Sequence, residues 1–159
     1  MDSLNVNKTC CFFGHRKINE TDKIKRKLYK VIEDLIVNKN VDTFLFGSKS
    51  QFDALCLNFI TDFKERYSYI KRIYVRAEYR YIDDSYENYL LNYYDYTYYP
   101  ERIANSGKAS YVERNQEMIN NSTYCVIYYN EHYIPLRGKS GTKIAYDYAH
   151  KKDKNIILI

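Results

Sequence analysis

The sequence contains no tryptophan, four cysteines among 159 residues, and no run of about 18 apolar residues. Without such a run no membrane-spanning helix is indicated, and the lack of a signal sequence at the start predicts a cytoplasmic protein. No CxxC or Cys/His ligand spacing is present, and every cysteine lies in an apolar segment: Cys10, Cys11, Cys56 and Cys125. We therefore expect reduced thiols in the core, and neither a metal ion nor a cofactor.

A concentrated run of one charge sign is also missing. The chain has 25 basic and 20 acidic residues, interspersed along its length, with a formal net charge of +5. This balance favours an anionic ligand. It lacks the basic strip expected of a nucleic-acid-binding protein, which argues against nucleic acid as a partner.

Apolar segments typical of buried strands alternate with amphipathic segments typical of helices. The strand-type segments are residues 9–13, 43–46, 70–75, 124–129 and 155–159. Asn19 and Asp22 are the expected caps of the first helix. The alternation predicts a three-layer α/β, Rossmann-like fold with about five mainly parallel strands, and the chain length predicts one domain over residues 1–159.

Residues 77–107 break this pattern, because tyrosines are crowded there among acids and asparagines. We expect an insertion that contains one helix. Three interpretations remain open: packing against the sheet edge or a second subunit, a lid that stacks on the base of a ligand, and solvated irregular chain. The first is favoured, and it predicts a homodimer or a larger homo-oligomer.

Three polar loops follow predicted strands. They hold Gly14, His15 and Arg16; Gly47, Ser48, Lys49 and Ser50; and Ser140, Gly141 and Thr142. The carboxyl ends of parallel strands meet at one edge of a sheet, and helices that begin there present free amides, so the loops should converge on a bound phosphate. None is a Walker A loop or a GxGxxG motif. The alternatives are an ordinary turn at Gly14 and simple helix capping by Ser48 or Ser50.

Taken together, these motifs resemble those of the SLOG superfamily, the Rossmann-like group named for the Smf/DprA and LOG proteins. The residues that carry the resemblance are CCFFGHR at 10–16, FGS at 46–48, FDALC at 52–56, Arg114 with Asn115 and Met118, and Ser140 to Thr142 with Ala145, Tyr148 and Ala149. The resemblance implies a nucleotide-binding module. Some members sense NAD-derived or ADP-ribose-like signals, LOG members cleave the base–ribose bond of nucleoside monophosphates, and Smf/DprA relatives bind DNA.

The LOG resemblance is incomplete at the residue that matters for catalysis. LOG enzymes carry an Arg followed four residues later by Met, then a PGGxGTxxE loop whose Glu acts with that Arg. Arg114 and Met118 match the first pattern, Gly138, Gly141 and Thr142 match parts of the second, and Ala145 stands where the Glu is expected. A methyl group neither stabilises an oxocarbenium ion nor activates water.

The resemblance therefore implies binding without catalysis, either to sense or to sequester an ADP-ribose-like or cyclic nucleotide signal. Sequestration is the role of phage-encoded inhibitors of nucleotide-signalling defence. The alternative is a LOG-like nucleoside 5'-monophosphate phosphoribohydrolase, with Asp53, Glu113 or Glu117 as the substitute carboxylate. DNA binding is the third and disfavoured class.

These arguments give one set of expected ligand-binding residues: Gly14, His15, Arg16, Gly47, Ser48, Lys49, Asp53, Arg114, Asn115, Ser140, Gly141 and Thr142. Each has an ordinary structural alternative. His15 either contacts ligand or fixes a turn, and Asp53 either accepts a hydrogen bond from a ribose hydroxyl or favours a helix N-terminus. Arg114 either binds phosphate or forms an exposed or intersubunit ion pair.

Overall fold

A parallel sheet lies at the centre of the structure, a computed structural model that describes residues 3–130 and 140–159. In those residues the sheet has six strands, in the order β4-β3-β2-β1-β5-β6. The strands are β1 Thr9–Gly14, β2 Thr43–Phe46, β3 Lys71–Val75, β4 Tyr96–Tyr98, β5 Tyr124–Tyr128 and β6 Asn155–Leu158. The α-helices are α1 Asp22–Val37, α2 Gln51–Arg66, α3 Asp84–Leu91, α4 Lys108–Asn120 and α5 Gly141–Lys151.

Side chains of β1 alternate between the two faces of the sheet, as the two-residue period of a strand requires. Cys10 and Phe12 join the core cluster that includes residues of α1 and α2, whereas Cys11 and Phe13 join the cluster that includes residues of α4 and α5. Helices therefore cover both faces, which is the arrangement expected for an all-parallel sheet. The predicted three-layer, Rossmann-like α/β fold is confirmed, with six strands and not about five.

The additional strand lies in the tyrosine-rich segment 77–107. That segment contains α3, as expected, and also β4, which pairs with β3 through Ile73 and Tyr96. The guanidinium of Arg72 holds the start of β4, because its Nε and Nη2 donate to the two carboxylate oxygens of Asp95 at 3.0 Å each. Part of the segment thus forms the edge of the sheet. Sequence reasoning missed β4 because its three residues contain no aliphatic side chain.

Capping side chains set the beginning of the helices. The Thr21 hydroxyl accepts from the Ile24 amide at 3.2 Å, so Thr21 caps α1. The expectation of Asn19 and Asp22 as caps is wrong, and Asp22 is the first residue of the helix. Ser50 and Ser140 cap α2 and α5 in the same way, with their hydroxyls accepting from amides three residues later.

All four cysteines are buried free thiols that form no disulfide bond. The Sγ atoms of Cys11 and Cys125 lie 3.5 Å apart on neighbouring strands. Burial raises the pKa of Cys10, Cys11 and Cys56, so these thiols stay protonated and behave as small core residues. In the described part of the chain, no three His, Cys, Asp or Glu side chains group as metal ligands. None of the helices described there has the length and apolar character needed to cross a membrane.

The order of the strands decides where a site can form. The chain runs from β1 outward through β2 and β3 to β4, and it then returns to place β5 on the other side of β1. Loops leaving β1 and β5 consequently diverge to opposite sides of the sheet and open a crevice between them. In open α/β sheets ligands bind in the crevice at this switch point.

Candidate functional site

A cleft of about 880 Å³ opens at the carboxyl ends of β1 and β2, between α4 and the start of α5. All twelve residues of the expected ligand-binding set line it, together with Phe12, Phe13, Ser50, Lys108 and Tyr111. The volume lies within the range of about 300–1,000 Å³ that is usual for small-molecule sites. The tertiary structure thus brings the three polar loops and α4 together, while their role in ligand binding stays a prediction.

Two of the cleft's glycines are required for packing inside the protein. A Cβ on Gly14 would lie 2.4 Å from the ring of Phe52, and a Cβ on Gly47 would lie 2.8 Å from Cδ and Nε of Arg114. A side chain is therefore excluded at both positions by protein atoms. Phe52 occupies the space that a side chain at position 14 would need, and the role of Gly14 in ligand binding stays a prediction.

Gly141 is different, because a Cβ there would meet no atom of the described residues within 4 Å. It is the first residue of α5, and its φ is not positive. The backbone at Gly141 therefore does not need glycine for a left-handed conformation. The space beside it is the open cleft.

Arg114 is 5% exposed and bridges α4 to the end of β2. Its Nη1 donates to the carbonyl oxygen of Gly47, and its Nε donates to Oδ1 of Asn115 at 3.0 Å. Its guanidinium carbon lies 5.4 Å from the ring centroid of Tyr111. Burial lowers the pKa of Arg114, but a guanidinium keeps its charge in proteins. The interpretation of Arg114 as an exposed ion pair is therefore wrong.

Asp53 is the buried acid of the cleft, with 2% of its surface exposed. Oδ2 accepts from the Ser48 amide at 3.1 Å, while no group in the described residues hydrogen bonds to Oδ1. Burial raises the pKa of Asp53 from 3.8 to about 6, and hydrogen bonds from Ser48 and the charge of Arg114 oppose that rise. When Asp53 is ionised, Oδ1 is an acceptor for which the described residues supply no donor.

The two candidate phosphate loops differ in the amides that they offer. In the loop after β2 the Ser48 amide donates to Asp53 and the Ser50 amide donates to the Ser48 hydroxyl at 3.3 Å. This loop therefore presents a carboxylate and internally bonded amides, which disfavours an anion. At the start of α5 the Lys143 amide donates to the Ser140 hydroxyl, but the amides of Gly141 and Thr142 precede it at the positive end of the helix dipole and have no intrahelical partner, which favours an anion.

His15 connects the end of β1 to the segment after β5. Its Nε2 accepts from the Asn130 amide at 2.9 Å, and its ring lies 5.7 Å from that of Tyr129. Burial lowers the pKa of His15, so the ring is neutral at pH 7. His15 therefore fixes the loop geometry at this end of the cleft and does not supply a cation.

Of the acids considered as substitutes for the LOG glutamate, Asp53 alone lines the cleft. Glu113 accepts from the amides of Ala104 and Asn105, and Glu117 accepts from the Asn121 side chain at 2.9 Å. Ala145 lies on the buried face of α5, within the core cluster that includes residues of α4 and α5. Gly138, which enters the same motif comparison, lies outside the described residues.

Sequence reasoning missed Lys108 and Tyr111. Tyr111 lies three residues before Arg114 on α4, and residues at this spacing are neighbours on a helix surface. The spacing could therefore have indicated that Tyr111 accompanies Arg114 in the cleft. With Lys108 included, four basic side chains of the described residues line the cleft: exposed Arg16, Lys49 and Lys108, and buried Arg114. These residues are far apart in the sequence, and the fold places them around one cleft.

No protein-family model matches the chain, and no curated protein matches it. A solved structure does. It is DNA processing protein A from Helicobacter pylori, which was studied for its single-stranded DNA binding mode. The TM-score is 0.62 at 16% identity, over 96% of this chain and 65% of that one. The chain has the Rossmann-like α/β fold of that protein.

This neighbour corrects the expected partners. The sequence argued for a nucleotide-derived small molecule and a second copy of the chain, and against nucleic acid. The exclusion of nucleic acid is wrong, because a protein of the same fold is a single-stranded DNA binder and because dispersed basic residues converge here on one cleft. Basic residues that are interspersed with acidic residues along the chain thus lie close together around the cleft.

Proposed function

We propose that this chain binds a nucleotide-derived ligand of the kind handled by SLOG proteins, with phosphate at the start of α5 and a ribose hydroxyl on Asp53. The observation that carries the proposal is Asp53, a buried acid that lines the cleft and whose Oδ1 has no donor among the described residues. A buried, unsatisfied acceptor costs free energy. A ligand hydroxyl donating to it removes that cost.

The phosphate assignment rests on complementary charge. Gly141 and Thr142 begin α5 beside the open part of the cleft, and the exposed cations Arg16, Lys49 and Lys108 line the same space. Helix N-termini bind phosphate through amides and the dipole, and mobile cations add attraction. An ADP-ribose-like ligand fits this arrangement, since it carries both phosphates and ribose hydroxyls.

The cleft supports binding better than cleavage of a glycosidic bond. Two-carboxylate chemistry needs a second acid, and Asp53 is the one acid among the described residues that line the cleft. We therefore assign the chain to sensing or sequestration of its ligand, with hydrolysis of nucleoside monophosphates as the less supported activity.

Thermal shift and calorimetric titration with ADP-ribose, AMP and cyclic nucleotides test the proposal. A ligand at 100 times its dissociation constant adds about 2.7 kcal/mol to the free energy of unfolding. Asp53→Asn should weaken binding of ribose-containing probes, and Asp62→Asn, an exposed acid on the same helix, serves as the matched control. A full panel that produces no shift at millimolar concentration would refute the proposal.

Single-stranded nucleic acid is a second candidate, favoured by the fold neighbour and by the four basic residues of the cleft. Anisotropy with a labelled oligothymidine measures it. Binding through about three phosphates predicts a slope near −2 in the logarithm of the association constant against that of salt. Lys108→Ala should reduce the slope, whereas Lys151→Ala at the far end of α5 should leave it unchanged.

A further inference from the structure

A second cavity of about 380 Å³ opens beside the main cleft, toward the carboxyl end of β3. Four tyrosines line it: Tyr74, Tyr79, Tyr86 and Tyr111. We call this cavity the tyrosine pocket. It is continuous with the main cleft, because Arg16, Gly47, Ser48, Lys49, Tyr111 and Arg114 line both.

The walls of the tyrosine pocket are held by named contacts. Arg76 fixes the turn after β3, because its Nε donates to the carbonyl oxygen of Tyr79 and its Nη1 to Oγ1 of Thr97, both at 3.1 Å. The rings of Tyr79 and Tyr86 meet edge to face, with centroids 6.2 Å apart. The Tyr111 hydroxyl donates to Glu78, which ties α4 to the same turn.

Aromatic faces remain open in this fixed frame. Tyr79 is 55% exposed and Tyr111 is 37% exposed, whereas Tyr74 is buried against the ring of Tyr94 at 5.1 Å. Exposed rings that a polar framework holds in place lose little conformational entropy when a flat ligand stacks on them. Arg76 and Glu78, which also line the pocket, place a donor group and an acceptor group near the edge of such a ligand.

We propose that the tyrosine pocket takes the planar base of a nucleotide whose phosphate occupies the main cleft. This inference rests on the proposed function, because the phosphate defines which end of the ligand reaches the pocket. Arg114 and Tyr111, which line both cavities, place a cation and a ring face where the sugar joins the base. The chain then recognises phosphate through α5, ribose through Asp53, and base through its tyrosines.

Calorimetry with AMP and ADP-ribose, compared with ribose 5-phosphate, tests the pocket. Ribose 5-phosphate retains the sugar and the phosphate but has no base. Stacking on aromatic side chains contributes enough that Tyr79→Ala should weaken binding of the two base-containing probes about tenfold. Binding of ribose 5-phosphate should not change, and Tyr79→Phe, which keeps the ring, should restore the wild-type affinity for AMP.

Tyr69→Ala is the matched control, because Tyr69 is also 55% exposed but precedes β3 and lies at the opposite end of the sheet. Circular dichroism melting confirms that each variant is folded. Wild-type protein that binds ribose 5-phosphate as tightly as AMP would overturn the tyrosine pocket and leave the proposed function intact. An equal loss for all probes in Tyr79→Ala would also overturn it, and binding of no probe overturns both proposals.

Discussion

Asp53→Asn should stabilise the ligand-free protein at neutral pH. Asparagine has the shape of a protonated aspartic acid, and its Oδ1 keeps an acceptor for the Ser48 amide that donates to Asp53 at 3.1 Å. What the substitution removes is a charge that is 2% exposed and has one oxygen without a donor. Sites that bind ligands often keep such destabilising groups, because function requires them.

The magnitude follows from the pKa of Asp53, which burial raises from 3.8 to about 6. Folding therefore favours the protonated carboxyl. The stability that this proton contributes is fully present below pH 3.8 and is lost as the pH rises through 6. Above that range the ionised group costs about 3 kcal/mol relative to its protonated form. For a chain of this size, that difference corresponds to about 6–12 °C in melting temperature.

Circular dichroism melting of both proteins between pH 4 and pH 8 measures the effect. Asp53→Asn should melt higher than the wild type at pH 8, and the difference should vanish toward pH 4. Equal melting temperatures at pH 8 would show that Oδ1 finds a donor in solution. A difference that is the same at both pH values would show that the effect does not come from the charge. Asp62→Asn should show no comparable pH-dependent difference, because Asp62 is exposed.

Three further predictions concern the cleft. Gly14→Ala should lower the free energy of unfolding by about 1–3 kcal/mol in chemical denaturation, because its Cβ would overlap Phe52. Gly141→Ala should change the free energy of unfolding by less than about 0.5 kcal/mol, because no described atom lies near its Cβ. Gly141→Val should melt like the wild type yet bind phosphate-containing probes more weakly in calorimetry, because its side chain enters the open cleft; unchanged affinity would exclude phosphate from α5. Chromatography should detect no free base after incubation with nucleoside monophosphates, and base release that Arg114→Ala abolishes would establish the hydrolase instead.

Local pattern was sufficient for most of the fold. Short apolar runs predicted five of the strands, and apolar residues at three- and four-residue spacing predicted the helices. The strand at Tyr96–Tyr98 escaped detection, since three residues without aliphatic side chains are a weak signal and pairing with β3 decides the conformation. The capping residue of α1 was also misassigned, by two residues.

The residue types of the cleft were likewise visible in the sequence, because parallel strands place the loops after them at one edge. What each residue does was decided by packing. Gly14 and Gly47 are excluded from carrying side chains by Phe52 and Arg114, which come from other elements. Gly141 is the same residue type, but a Cβ there would meet no atom of the described residues within 4 Å.

Charge shows the same division between sequence and structure. The count of basic and acidic residues fixes the net charge of +5, whatever the fold. Only the return of the chain from β4 to β5 brings α4 across the end of β2, so that Arg114 and Lys108 join Arg16 and Lys49 at one cleft. The raised pKa of Asp53 also depends on the tertiary structure, because desolvation depends on which atoms surround a group and not on its neighbours in the chain.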